Sequence, residues 1–271
     1  MSLLNFIASS SIFYIAAFLF ILFYGIGILI IFVRDSFVHP TRFSNSNLLI
    51  DLLVQIASPL FAFLLASIAI MIVSSRDGIE RALQNETDSV VDIVLLSTNL
   101  PRDVQEKVQD QLKKYLVCLK NEEWKSLSQG KIPHEGRLHI SKVLSDLYTY
   151  FNTNPPTLYS TQSLIQTLQN LNDARRDRAE FSVKRLHPYM WGILFIDAII
   201  SMIIIIFFLA KKVPGQQFSI FLLSISFSLI FSILIGFNNP FLGSLRIKPE
   251  SIDDSLTVID VIISQNKTSP L

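Results

Sequence analysis

One cysteine, four histidines and a net charge of +1 over 271 residues remove several classes of function before any motif is sought. The single thiol, Cys118, excludes an intramolecular disulfide and leaves the redox compartment undecided; it reads as a small buried apolar residue. A near-neutral balance argues against a nucleic-acid partner, because a phosphate-binding domain normally carries a basic surplus. The chain has no glycine-rich phosphate loop, no nucleophile elbow and no paired acids at a membrane helix end. His134 and His139 stand five apart rather than four, with Glu135 between them. They miss the one-face metal pair of a zinc protease and read as surface histidines. No catalytic residue, metal ligand or cofactor is expected, and the chain does not read as an enzyme.

What the sequence does have is long apolar runs. Ser11 to Val33, Leu52 to Val73, Tyr189 to Ala210 and Phe218 to Phe237 are each long enough to cross a bilayer, which needs roughly 20 apolar residues at about 1.5 Å of helical rise each. The first run is expected to be a retained helix rather than a cleaved signal. Met1 to Ser10 lacks lysine and arginine, the run exceeds a signal h-region, and no small-residue cleavage site follows before Arg34. The expected divisions are a first helix pair over 1–74, an aqueous helical domain over 75–188, a second helix pair over 189–238 and a C-terminal segment over 239–271. Four spans put both termini and the polar block on one side. That side carries Arg76, Arg81, Arg175, Arg176, Arg178, Lys184, Arg185, Arg246 and Lys248 near the membrane ends, against Arg34, Arg42, Lys211 and Lys212 opposite. The excess predicts that the termini and the domain are cytoplasmic, in the plasma or inner membrane.

The polar block shows apolar residues every three or four positions and no sustained alternation, so the fold class is all-α. Ser75 to Leu96 continues the second span into water, interrupted only by Gly78, at a cost of about 1 kcal/mol. Pro101 opens a helix with Val104, Val108, Leu112, Tyr115, Leu116 and Leu119 on one face, and Gly130 closes it. His134 to Phe151 and Thr157 to Leu186 are the next helices, parted by Asn154-Pro155-Pro156. After Phe237 the chain turns irregular at Asn238-Asn239-Pro240-Phe241. It ends in an apolar-periodic stretch from Ile252 to Ile263 and a polar tip expected to be disordered.

Several residues are candidates for function, each with a plainer reading beside it. Asp197 lies well inside the third run; it is either an ion or proton site or a structural hydrogen-bonding group between helices. Ser224, Ser228, Ser232 and Gly236, four apart, form a small-residue face suited to tight helix packing, with a pore-lining hydroxyl face as the alternative. In the second run two faces compete. Ser58, Ala62 and Ala66 make a packing stripe, whereas Gln55, Pro59 and Phe63 would make an apolar constriction if several copies surrounded an axis. Arg175, Arg176 and Arg178 could bind anionic lipid or an acidic partner, but a solvated helix face fits them better.

The ending Asn239-Pro240-Phe241-Leu242-Gly243, followed by Leu245, Ile247 and Pro249, resembles that of the bestrophin-like domain proteins, a membrane family related to the bestrophin channels. Phe61-Ala62-Phe63, Glu86, Glu123-Trp124, Arg175, Arg178, Pro188 and Trp191 agree with it in order, so the likeness covers nearly the whole chain. The resemblance implies a homo-oligomeric, pentameric ion channel with a narrow neck in the second span and cytoplasmic helices extending the pore. Its partners would be copies of itself, membrane lipids and permeant ions. Neither anion nor cation selectivity is implied. Ser58 and Ala62-Phe63 take the register of the bestrophin neck, while Pro59 departs from it where a bulky constricting residue would stand. In eukaryotic bestrophins the Asn-Pro-Phe segment leads into an acidic calcium-binding run; here Leu242-Gly243-Ser244-Leu245-Arg246 follows, so calcium gating is not carried over. Two rival readings remain. One is a non-conducting membrane scaffold or sensor that recruits a cytoplasmic partner, and the other a membrane enzyme or proton-coupled transporter centred on Asp197.

Overall fold

The structure, a computed structural model, describes residues 11–37, 47–153, 158–183, 185–208 and 213–268. Asn45, Asn154-Pro155-Pro156, Lys211-Lys212, both chain tips and the side chain of Ser58 lie outside the described residues. The described residues contain helices and no strand. In chain order these are α1 (Ile12–Phe37), α2 (Asn47–Ser97), α3 (Arg102–Cys118), a π-helical turn (Leu119–Glu123), α4 (Trp124–Ser128), α5 (Glu135–Thr153), α6 (Leu158–Val183), α7 (Pro188–Phe208), α8 (Val213–Asn238) and α9 (Glu250–Thr268). Four of them, α1, α2, α7 and α8, contain stretches long and apolar enough to cross a membrane.

The chain divides into two compact units. The first comprises Met1–Ser74 with Arg185–Arg246, and the second Ser75–Lys184 with Ile247–Leu271. In the first unit the core is aromatic and aliphatic. Phe23 of α1 is fully buried, with ring centroids 5.8 Å from Phe195, 5.5 Å from Phe227 and 5.3 Å from Phe231. Lipid supplies no hydrophobic drive between helices, so this interdigitation is what selects their neighbours. Gly27 of α1 lets α8 approach closely, since a Cβ there would stand 2.5 Å from a methyl of Ile220. Arg34 donates to the Ile206 carbonyl at 3.1 Å and satisfies one acceptor in the last turn of α7. Helix α8 starts at Val213, five residues before the apolar run that predicts it. Pro214 falls in its first turn, where a missing N–H costs nothing.

In the second unit α3 and the first residue of the π turn bury the expected face, with Val108, Leu112, Tyr115, Leu116 and Leu119 fully enclosed. Gly130, at φ 74°, ends the α4 segment in the left-handed region that glycine alone enters freely. The C-terminal helix α9 runs further than its apolar stretch, and Ile252 and Ile259 bury completely. Two ion pairs join it to α3 and the π turn, Lys113 to Asp260 and Lys120 to Asp253, both at 2.5 Å. Exposed pairs of this kind contribute about 0–1 kcal/mol each, so the two isoleucines dominate the docking.

Candidate functional site

The second span is the least covered of the four by its own chain. Only 17% of its most apolar stretch is buried, against 28% for each of the spans in α1 and α7 and 50% for α8. Phe61, Ile68 and Ile72 face the core of the first unit. The opposite side is open: Gln55 and Pro59 are exposed, and Phe63 is 74% exposed. At about 100° per residue these three lie within one quadrant of the helix, so one uncovered face carries an amide, a proline ring and a phenyl group one turn apart. Ala62 and Ala66 are exposed as well. The Ser67 hydroxyl returns to the Phe63 carbonyl at 2.8 Å, within the helix.

The other candidates sit apart from this face. Asp197 is half-buried on α7, and no described residue donates to its carboxylate. Ser224, Ser228, Ser232 and Gly236 are all buried. The Ser228 and Ser232 hydroxyls donate to the Ile225 and Leu229 carbonyls of their own helix, and the Ser224 hydroxyl has no partner among the described residues. A Cβ on Gly236 would stand 2.9 Å from Leu245, so the chain folds back against the end of α8 at this point. Asn239, Pro240 and Phe241 are buried in that return. The Asn239 carboxamide accepts from the Phe241 N–H at 3.4 Å, the Asn238 carboxamide accepts from the Leu186 N–H at 2.9 Å, and Gly243 turns the chain at φ 81°. The motif is therefore a compact turn built from side-chain acceptors and one left-handed glycine.

Within the second unit a charged cluster lies at the centre of the core. Glu86 of α2, Glu123 of the π turn and Arg178 of α6 are each 0% exposed. Arg178 donates through Nε and Nη2 to Glu86, and through Nη2 to Glu123 at 2.6 Å. Tyr115 donates its hydroxyl to Glu86. Arg175 donates to Glu123 and to the Pro133 carbonyl, both at 2.9 Å. The Gly136 N–H, in the first turn of α5, reaches the same Glu123 oxygen as Arg175, at 3.0 Å. Two acids and two guanidiniums thus neutralise one another and each carboxylate accepts three hydrogen bonds, which is what lets ions persist in a core, while Arg178 Nη1 and Arg175 Nε have no partner among the described residues. Burial alone would raise the Glu123 carboxyl, but the Arg178 and Arg175 guanidiniums outweigh it and hold that group below the usual carboxylate range. Burial and the adjoining Glu86 push the Tyr115 phenol well above its ordinary value, so it remains a donor.

This cluster corrects the sequence reading of Arg175 and Arg178 as a solvated or lipid-binding face; only Arg176 among the three is exposed. A signal for it was present. Glu86 falls in the buried register of α2 with Ile79, Leu83, Val90 and Ile93, and Arg178 in that of α6 with Leu164, Leu168, Leu171 and Ala174. A charge at a core position in each of two helices asks for a partner. The π turn does the remaining work. Its extra residue retards the rotation of the helix and returns Glu123, and Leu127 after it, to the buried face begun by Val104.

An all-helical chain with four membrane-crossing stretches and a separate helical unit is an integral membrane protein. A family model for the Bestrophin-like domain matches residues 21–252, most of the length, and this chain belongs to that family. Among solved structures it is similar to a bacterial bestrophin homolog from Klebsiella pneumoniae. One mutant form of that homolog aligns at TM-score 0.65 and 12% identity, covering 92% of this chain and 99% of that one. A second mutant form gives 0.64 and 12%, covering 95% and 98%. A further crystal structure of a membrane protein gives 0.64 and 11%, covering 93% and 98%. At such identities the likeness is one of fold. No curated protein matches the sequence.

Proposed function

We propose that this protein is a homo-oligomeric, pentameric ion channel that conducts passively through an axial pore lined by the second span. Membership of the Bestrophin-like family supports a channel. The observation that carries the reading is the uncovered Gln55, Pro59 and Phe63 face on the span its own chain covers least. Copies of one chain arranged about an axis would bring these faces together. A ring of phenyl groups offers a hydrated ion no partner, so Phe63 limits conduction by dewetting. Ser224, Ser228, Ser232 and Gly236 act in helix packing, a reading supported by their burial and by the inward-turned hydroxyls of Ser228 and Ser232. The basic excess argues that the termini and the second unit are cytoplasmic.

Recording from purified protein in planar bilayers tests this, with native mass spectrometry counting the copies. Phe63→Ala is expected to raise unitary current at little change in melting temperature. A destabilised protein with unaltered unitary current would instead place Phe63 against neighbouring helices and remove it from the neck. A strictly monomeric particle, in mild detergent and in lipid nanodiscs, would end the channel reading.

A further inference from the structure

Among the described residues the three most exposed large apolar or aromatic side chains are Phe13, Tyr189 and Tyr14, at 81%, 78% and 76%. They come from the first turns of two different helices, α1 and α7. These helices run the same way. A Cβ on Gly27 would stand 3.2 Å from the Met202 methyl, and Arg34 reaches the Ile206 carbonyl. Tyr14 stands as far before Gly27 as Tyr189 does before Met202, so the two tyrosines lie at one level along the unit. Tyr189 is stacked on His187, with ring centroids 4.8 Å apart and planes 17° from parallel. Beyond it Ile193, Ile196, Ile200 and Ile203 continue the same exposed face of α7 without a polar group. Beyond Tyr14, Phe18, Ile21, Ile28 and Phe32 do so on α1.

We infer that Phe13, Tyr14, His187 and Tyr189 form an aromatic collar that seats in the phospholipid headgroup layer, and that the isoleucine face of α7 below it contacts acyl chains. The chemistry selects a lipid surface over a second copy of the chain. A protein neighbour would bury two exposed tyrosine hydroxyls and the Nε2 of an imidazole whose Nδ1 already accepts from the Tyr189 N–H, and each of the three would need a partner there. Headgroups and interfacial water supply such acceptors at this depth, while the layer just beneath takes the ring bodies. The aliphatic face beginning at Ile193 asks for no acceptor at all. Ile196 on that face lies about 10 Å deeper than Tyr189 by helical rise, inside the hydrocarbon. Asp197 stands off this face, on its half-buried flank.

The test uses the full-length protein in phosphatidylcholine and phosphatidylglycerol vesicles, with a nitroxide placed by Tyr14→Cys, Tyr189→Cys or Ile196→Cys. Cys118 is replaced by alanine in each of these variants, so that the introduced thiol alone carries the label. Collision with oxygen and with a water-soluble nickel chelate is read from power saturation. The label at 196 should be mobile, oxygen-accessible and shielded from nickel, and those at 14 and 189 should report one common, shallow depth. Immobilised labels closed to both reagents would mean that protein covers the face, and nickel access at 196 would mean a water path there; either overturns the assignment. Neither result depends on whether the protein conducts, so failure here is distinguishable from failure of the channel reading.

Discussion

Replacing Gly136 by alanine isolates the geometry of the buried cluster with a single methyl group. A Cβ at this position would lie 2.5 Å from Oε1 of Glu123 and 2.7 Å from a ring carbon of Tyr115, and neither neighbour can swing aside. Glu123 is held by Arg175, Arg178 and the Gly136 N–H itself, and Tyr115 is fully enclosed. The carboxylate must shift, and it then loses at least one charge-assisted hydrogen bond, worth about 1.5–3 kcal/mol in a buried site. Alanine returns up to about 1 kcal/mol through its better helix propensity. The net is a loss of about 2 kcal/mol, or about 4–8 °C in melting temperature for a unit of this size. Thermal unfolding followed by far-ultraviolet circular dichroism in mild detergent reads it. Gly192→Ala is the matched control, because nothing lies within 4 Å of a Cβ there, and it should leave the melting temperature unchanged or slightly higher. Equal melting temperatures for Gly136→Ala and the wild type would refute the claim that the cluster is tightly packed.

Removing one member of the cluster should cost more than removing several. Arg178→Met leaves Glu86 without a cation and Glu123 with Arg175 alone, and is expected to lower stability by about 3–5 kcal/mol, whereas Arg178→Met with Glu86→Gln and Glu123→Gln should recover part of it; a triple variant no more stable than the single one would show that the ions do not compensate each other. Because Glu123 titrates below its unfolded value, its contribution is fully present above the ordinary carboxylate range and is lost as pH falls through the depressed folded value. Melting temperature should accordingly stay flat through neutral pH and fall in strong acid, with a shallower acid limb in Glu123→Gln; identical limbs would contradict the assignment. For topology, reporters fused at Ser2, Asn121 and Leu271 should remain cytoplasmic while one at Asn45 is exported, and a single exported reporter at Asn121 would reverse the orientation.

The helices of this protein are legible in its sequence because they are long and their apolar residues follow one period. Pro101 and Gly130 mark the bounds of the α3 to α4 stretch in the sequence and do so in the structure. The start of α8 was less legible, since its first turn contains no apolar run to announce it. The charged cluster escaped for a different reason. Arg178 meets partners 92 and 55 positions away, and no local pattern reports such a separation. What could be read was only that Glu86 and Arg178 occupy core positions of their own helices. The π turn is invisible to any periodic reading, because one extra residue in a helix looks like drift. Burial encloses the small-residue face of α8, whereas on the second span Ala62 and Ala66 are uncovered along with Gln55, Pro59 and Phe63, so burial separates those two competing faces no better than spacing does.

The separation of those partners along the chain also sets an order of events during synthesis. Glu86 emerges 92 residues before Arg178, an interval on the order of 5–20 s at about 5–20 residues per second. Through that interval Glu86, joined later by Glu123, is an acid without its cation, and the apolar residues around both have no stable core to enter. The second unit can close only once α6 has been made, when α7 is the next element of the chain. A chain halted before Arg175 would carry two core acids with neither of the cations that meet them in the folded unit.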